Sequence, residues 1–164
     1  MIKLIQLLPT EPDLTSLQTL SASCHEYLSQ QEGKPVDAAF AAEFFKYRPG
    51  DCPPENKIVL GIYYKELLIG VFELFVHYPS TDTLNLGLMV IDPAFRGQGF
   101  GQMAYHLLDA WTLVRNMTTI RLGVLLWNND GLRFWEKLGF RKTGEIKQYL
   151  QHQFYVLQKS RQII

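Results

Sequence analysis

The stretch that decides the fold is Thr83–Arg115, TLNLGLMVIDPAFRGQGFGQMAYHLLDAWTLVR. Leu84, Leu86, Leu88 and Val90 alternate with Asn85, Gly87, Met89 and Ile91, which is the period of a β-strand. Asp92-Pro93 ends that strand, because proline lacks a ladder donor and restricts the residue before it. Phe100, Met103, Ala104, Leu107, Leu108, Trp111 and Val114 then recur at the three-and-four spacing of an amphipathic helix. Between the two lies Arg96-Gly97-Gln98-Gly99-Phe100-Gly101. The first N–H groups of a helix have no internal partner and sit at the positive end of its dipole, and glycines let an anion approach the backbone. The dipole contributes only about 0.3–1 kcal/mol at an exposed site, so several N–H groups and Arg96 must act together. The same kind of turn also joins strands to helices for purely structural reasons.

Upstream, 58–63 and 67–78 read as two apolar strands joined around Tyr64-Lys65-Glu66, and Pro79-Ser-Thr-Asp82 turns the chain into the central strand. The result is an antiparallel meander of three strands. Before it, 2–7 reads as a first strand, and Thr10-Glu-Pro-Asp13 as a helix start with a hydroxyl cap. Leu14, Leu17, Leu20, Cys24, Tyr27 and Leu28 give that helix one apolar face. Ser29 to Pro35 is a polar loop, and Val36, Phe40, Phe44 and Tyr47 suggest a second helix ending before Pro49-Gly50. Downstream, 120–127 is a nearly continuous apolar run, as expected of a strand covered on both faces. Asn128-Asn-Asp130 opens a short helix that stops at Gly139, and 140–149 and 154–159 read as a final pair of strands. The fold class is therefore α/β, a mixed, mostly antiparallel sheet of about seven strands flanked by about four helices.

The 164 residues fit one domain, 1–164, with 47% hydrophobic composition and neither a repeat nor a linker. Sixteen basic and sixteen acidic residues cancel, which argues against nucleic acid or an anionic membrane surface as partner. Cys24 and Cys52 form no C-x-x-C pair and read as reduced thiols. No apolar run approaches about 18 residues and the N-terminus lacks a cleavage site, so cytoplasmic residence is the default.

Three phosphate-binding patterns compete for the glycine turn. Gly99-Phe-Gly-Gln-Met-Ala104 fits the dinucleotide fingerprint, but the next strand ends in Trp127-Asn128 where a ribose-binding acid belongs. A triphosphate loop is excluded because no Gly-Lys-Ser/Thr follows. The third pattern is carried by two blocks. Ile91-Asp92-Pro93-Ala94-Phe95-Arg96-Gly97-Gln98-Gly99-Phe100-Gly101 resembles, at every position, the strand end and Arg/Gln-x-x-Gly-x-Gly/Ala helix start of the GNAT-type N-acetyltransferase superfamily. Asn128-Asn-Asp-Gly-Leu-Arg-Phe134-Trp135-Glu136-Lys137-Leu138-Gly139-Phe140 resembles that family's N-x-x-A-x-x-F-Y-E-K-x-G-F, with Gly131 for alanine and Trp135 for tyrosine.

The resemblance implies a GNAT-like acyl-coenzyme A N-acyltransferase fold. It implies acetyl transfer from acetyl-coenzyme A to an amine by direct attack, with no metal. The coenzyme's pyrophosphate would lie on Arg96, Gly97, Gln98, Gly99, Phe100 and Gly101, its pantetheine arm along Met89, Val90 and Ile91, with Asn128, Phe134 and Trp135 nearby. A backbone N–H at Ile91 or its neighbour would polarise the thioester carbonyl. An alkyl amine with a pKa of about 10.4 must first lose a proton. Where the family can hold a glutamate base this chain has Asn85, and Trp135 cannot replace a tyrosine acid.

Glu73 and His77 on the preceding strand are the substitutes, sharing one face by parity. Glu73 either serves the amine or lies on an exposed sheet edge, and whether it shares a face with Asn85 depends on a register that stays open. His77 and His106 also read as solvated residues, Trp111 as core, and Arg141, Lys142 and Lys147 as solvated charges unless they meet the coenzyme's ribose phosphate. Tyr149 and Tyr155 count as acids only if they face the cleft. The acceptor, a small amine or a peptide amine, is expected near Tyr27, the Gln30 to Pro35 loop and Glu73. A non-catalytic acyl-coenzyme A sensor of the same fold is the alternative, and an exposed last strand offers an edge for a homodimer.

Overall fold

The computed structural model describes residues 1–162. In chain order the elements are β1 (Ile2–Gln6), α1 (Asp13–Ser23), α2 (His25–Glu32), α3 (Phe40–Lys46), β2 (Lys57–Tyr64), β3 (Leu67–Phe75), β4 (Thr83–Ile91), α4 (Phe100–Val114), β5 (Thr119–Leu125), α5 (Asn129–Lys137), β6 (Arg141–Tyr149) and β7 (His152–Ser160). The strands form one sheet in the order β1-β2-β3-β4-β5-β7-β6. Among the described residues only β4 and β5 pair in parallel, joined by α4, since a parallel crossover needs a long connection.

Two hairpin irregularities decide which side chains share a face. Between β2 and β3 the register shifts at Ile62/Tyr63, so Lys57 lies opposite Phe75 and Val59 opposite Glu73. Between β3 and β4 it shifts again, from Glu73↔Leu88 to Leu74↔Leu86, leaving Gly87 as the extra residue of a bulge. Before the bulge, Leu84 and Leu86 join Ala104, Tyr105 and Leu108 of α4 in one core cluster. After it, Leu88 and Val90 join Leu17, Leu20, Leu28, Ala41 and Phe44 from α1 to α3 in the other. The same shift puts Asn85, opposite Phe75, on the face of Glu73.

Several elements depart from the sequence reading. The first helix is two, broken at Cys24 (φ −98°, ψ 15°). Ser21 Oγ donates to the Gln18 carbonyl at 2.7 Å, a back-bond that bends helices, while Leu17, Leu20, Cys24 and Leu28 keep one apolar face across the break. Thr10 does not cap α1; the helix follows Pro12, and Glu11 Oε1 accepts from Thr15 N at 3.1 Å instead. Helix α2 runs through Glu32 to a left-handed Gly33, and α3 begins only at Phe40. On α4 the buried face is Ala104, Tyr105, Leu108 and Thr112, leaving Met103 and Leu107 over 40% exposed, because the apolar stripe is wider than the contact with the sheet.

Strand β5 is covered along one face, where Ile120, Leu122 and Val124 are buried, while on the other Gly123 is exposed and Leu125 at the strand end is buried. Helices α1 to α3 pack on Val59, Val71, Leu88 and Val90 of β2 to β4, which leaves the second face of β5 open at Gly123. The last strand is no edge either. β7 lies between β5 and β6, and β6, exposed along its whole length, is the edge.

Gly70 holds the close approach of β3 to the end of β4, since a Cβ there would sit 2.5 Å from the Val90 carbonyl oxygen. Gly70→Ala is expected to lower the unfolding free energy by about 1–3 kcal/mol, read as a lower urea midpoint at unchanged slope.

Candidate functional site

Pairing between β4 and β5 ends at Leu86↔Leu122, although β4 continues to Ile91 and β5 to Leu125. The next step would be Gly87 beside Gly123, and there the strands part. Asp92 N donates to the Ile69 carbonyl at 2.7 Å across the β3 pairing. By antiparallel alternation the peptide groups of Val90 then face β3, and those of Met89 and Ile91 face the opening toward β5. Arg96 Nε donates to the Ile91 carbonyl at 2.8 Å, in keeping with that orientation. Val90, expected beside Met89 and Ile91, is thus turned away: its peptide groups serve β3 and its side chain is buried under α1 and α2.

At the end of β4 the chain makes a turn of helical residues at Pro93–Phe95 and enters α4 through Gly97 (φ +74°) and Gly99 (φ +84°). No atom of the described residues lies within 4 Å of where a Cβ would stand on either glycine. Backbone conformation demands glycine there, and the space above the turn stays open. No side chain caps α4, so its first N–H groups point into that space, with the Gln98 amide folded back onto the Ala94 carbonyl at 3.1 Å. A fully backbone-built anion cradle results, and it fits a pyrophosphate.

Opposite it, Phe134 of α5 and Met89 of β4 converge on Gly101, where a Cβ would meet them at 3.4 and 3.6 Å. Asn128 Oδ1 accepts from Gly131 N at 3.0 Å and caps α5. Trp135, next to Phe134, turns inward instead, edge-on to Tyr105 and Phe140 in the core. Tyr27 also belongs to this end of the cleft: burial raises its hydroxyl pKa, opposed by the Asn128 amide and the Arg96 charge beside it. Burial pushes the Cys24 thiol up to about 11 against the pull of Arg96, so it is an inert packing group.

On the α1–α3 side of the sheet, at the same parting of β4 from β5, lies a cavity of about 390 Å³. Its floor includes Glu73, Asn85, Gly87 and Gly123, one wall comes from α2 and α3, and Tyr149 and Phe154 close the far side. Tyr27 does not line it, but Gln31, Glu32 and Lys34 do.

Glu73 is 7% exposed in an interior strand, which rules out the sheet-edge reading. Its Oε2 lies 2.7 Å from Lys57 Nζ. Lys57 also donates to the carbonyls of Phe44 and of Tyr47, the latter at 2.7 Å, so its three N–H groups are all engaged. The rings of Phe44, Phe75 and Tyr47 surround the ammonium at 4.9, 5.1 and 5.6 Å. The other oxygen, Oε1, hangs over Gly87, 2.7 Å from where a Cβ would be. Burial pushes the Glu73 carboxyl above the usual carboxylate range, with Lys57 opposing. It likewise pushes Lys57 down, with Glu73 opposing. Burial raises Tyr47 to about 12, helped by Tyr149, Glu73 and Glu32.

The remaining candidates stand apart. His77, in a left-handed turn, meets the Thr81 carbonyl through Nδ1 at 2.6 Å and is exposed, as is His106 on α4. Arg141, Lys142 and Lys147 lie on exposed β6.

A family profile described as the acetyltransferase (GNAT) family matches residues 15–140. No curated protein matches the sequence. Among solved structures, an acetyltransferase from Thermus thermophilus superposes with a TM-score of 0.75 at 14% identity, over 98% of this chain and 97% of that one. The ribosomal-protein-S18-alanine N-acetyltransferase of Escherichia coli gives 0.73 at 16% identity, over 100% and 96%. The PaiA N-acetyltransferase of Thermoplasma acidophilum, solved in complex with coenzyme A, gives 0.67 at 16% identity, over 98% and 99%. At these identities the likeness is one of fold.

Replacing Lys57 by Met leaves the Glu73 carboxylate buried without its cation, and Lys57→Met is expected to lose about 3–5 kcal/mol at neutral pH. A carboxyl whose folded pKa lies above its unfolded value binds extra protons when folded, so stability falls as pH rises through that window. The loss in Lys57→Met should therefore shrink as the pH is lowered toward the ordinary carboxylate range, and Lys57→Met/Glu73→Leu should recover most of it. Urea titrations across pH measure both.

Proposed function

The chain belongs to the acetyltransferase (GNAT) family, and we propose that it is one N-acetyltransferase domain that moves an acetyl group from acetyl-coenzyme A to a primary amine. The observation that carries this reading is the parting of β4 from β5 at Gly87 and Gly123, with the open glycine turn at one end and the cavity at the other. The backbone groups of Met89 and Ile91 would pair with the pantetheine arm, and the N–H groups of 97–101 with Arg96 would hold the pyrophosphate. Asn128, Phe134 and Tyr27 would flank the arm, with Trp135 supporting Phe134 from the core. The coenzyme supplies the acetyl group as a thioester.

In the cavity, Glu73 Oε1 is the proton acceptor for the incoming ammonium, directly or through a water held by Asn85, while Lys57 fixes the carboxylate through Oε2. The freed amine attacks the thioester carbonyl carbon, the C–N bond forms, and the C–S bond breaks as an N–H at Ile91 or Met89 stabilises the oxygen. The attacking nitrogen gives up its second proton to water as the departing thiolate takes one from water, a net transfer that needs no side-chain acid, since Trp135 offers none. The second reading, a sensor that binds acyl-coenzyme A without transfer, is favoured by one observation, the engagement of Glu73 by Lys57 beside an asparagine. No described helix is long and apolar enough to cross a membrane, and the proposal keeps the protein cytoplasmic.

Free-thiol release from acetyl-coenzyme A with a panel of amines and short peptides tests the proposal. Acceptor-dependent release is expected, abolished in Gly99→Trp, which fills the open turn and forces a side chain into φ +84°. Glu73→Gln is expected to lower kcat/KM about a hundredfold. In the wild type, activity should rise with pH as Glu73 ionises above the ordinary carboxylate range, and Glu73→Gln should lose that limb. Tight coenzyme binding without release to any amine would favour the sensor; no coenzyme binding would sink both readings.

A further inference from the structure

Resting on the transfer reading above, we infer that the acceptor is a small primary amine with an apolar, ring-sized body and no acidic group. Six aromatic rings, those of Phe40, Phe44, Tyr47, Phe75, Tyr149 and Phe154, line the cavity. At about 390 Å³ it stands at the small end of ligand pockets, and its aromatic faces suit both an apolar body and an ammonium.

The charges are distributed to one sign. Glu32, Glu43 and Glu73 all face the cavity. Lys34 is the one cation among the described lining residues, and it sits on the exposed rim, 4.0 Å from Glu43. Lys57 lies behind the floor with its three N–H groups committed to Glu73 and two carbonyls, leaving none for a ligand. An acceptor carboxylate or phosphate entering beside the amine would therefore meet carboxylates and ring faces, with the neutral donors of Gln31, Asn85, Tyr47 and Tyr149 but no cation besides Lys34 at the rim to offset its lost water.

Glu32 makes the exclusion specific. It ends α2, is partly buried, and joins no ion pair among the described residues; burial raises its carboxyl pKa, and the nearby Lys34, 4.0 Å from Glu43, opposes that rise. Its field reaches Tyr47, Tyr149 and Glu73, so it faces the same space as the reactive carboxylate. Glu73 at the floor and Glu32 toward the rim thus attract the cationic end of an acceptor and repel an anionic one. Discrimination of this kind, by a repulsive element, is effective because an unpaired buried charge is so unfavourable.

Three amines of one shape test the inference: phenethylamine, phenylalanine amide and phenylalanine, which differ in carrying nothing, a neutral amide or a carboxylate at the carbon beside the nitrogen. The expected result is acetylation of the first two with kcat/KM about a hundredfold above phenylalanine. Glu32→Lys should raise the phenylalanine-to-amide ratio about tenfold or more by turning repulsion into attraction. Glu32→Gln, a milder change, should move it in the same direction.

Phenylalanine used as well as its amide, or a ratio unmoved in both Glu32 variants, would overturn the inference while leaving the transfer reading intact. So would thiol release to other acceptors with none to phenethylamine or the amide. Calorimetric titration with coenzyme A separates the two levels, since failure to bind it would overturn the transfer reading itself.

Discussion

Where β4 carries one residue more than β3 can pair with, at Gly87, the strand exchanges the faces its side chains present. That single bulge sends Leu84 and Leu86 to the α4 side and Leu88 and Val90 to the α1–α3 side, and so lets one strand serve both cores. It also brings Asn85 onto the face of Glu73, and it falls where β4 stops pairing with β5. A bulge bends its strand and strengthens the local twist, which carries the second half of β4 away from a parallel partner that continues straight on. Glycine is required by space: a Cβ at Gly87 would come within 2.6 Å of Phe75 and 2.7 Å of the Glu73 carboxylate. The cleft, the cavity and the connection between them depend on that one position.

The buried pair of Lys57 and Glu73 has a different logic. Withdrawing both charges from water is expensive, and a well-packed apolar pair of similar volume would serve stability as well or better. What the pair does is hold a carboxylate in one rotamer at the floor of a cavity. Two backbone carbonyls take the remaining Lys57 donors, so the cation has no freedom to follow a ligand. Glu73 is left with one oxygen fixed and one facing inward.

Much of this could be read from the sequence, and the limits have physical causes. The central strand, glycine turn and α4 were legible because each is local: alternation, a proline stop, positive-φ glycines and helical spacing all act within a few residues. The second block, Asn128 to Phe140, is local in the same way, and the family follows from the two together. Lys57 was missed. Counting from the turn at Lys65-Glu66, Tyr64 opposes Leu67, and an unbroken register would set Lys57 on the face opposite Glu73. The shift at Ile62/Tyr63 reverses that parity, and nothing in Gly61-Ile62-Tyr63 announces it. The relation of Asn85 to Glu73 was hidden by the second shift. The apolar run at 120–127 overstated the burial of β5, because the reach of α1 to α3 over the sheet is a tertiary fact with no local signature. Trp135 and Phe134 are adjacent in one motif, yet one points into the core and the other into the cleft, which only the docking of α5 decides.

The two ends of the site differ in what they are made from. At the glycine turn the groups on offer are peptide N–H and C=O groups, so the sequence need only supply glycines and a strand edge, and a short motif is enough to specify them. At the cavity end the groups are side chains drawn from α2, α3, β3, β4, β6 and β7, brought together from residues 31 to 154. A change in any of them reshapes the cavity without touching the turn. A fold built this way holds its turn constant while its cavity varies, and the character of the cavity lies in charges such as Glu32 that no motif contains.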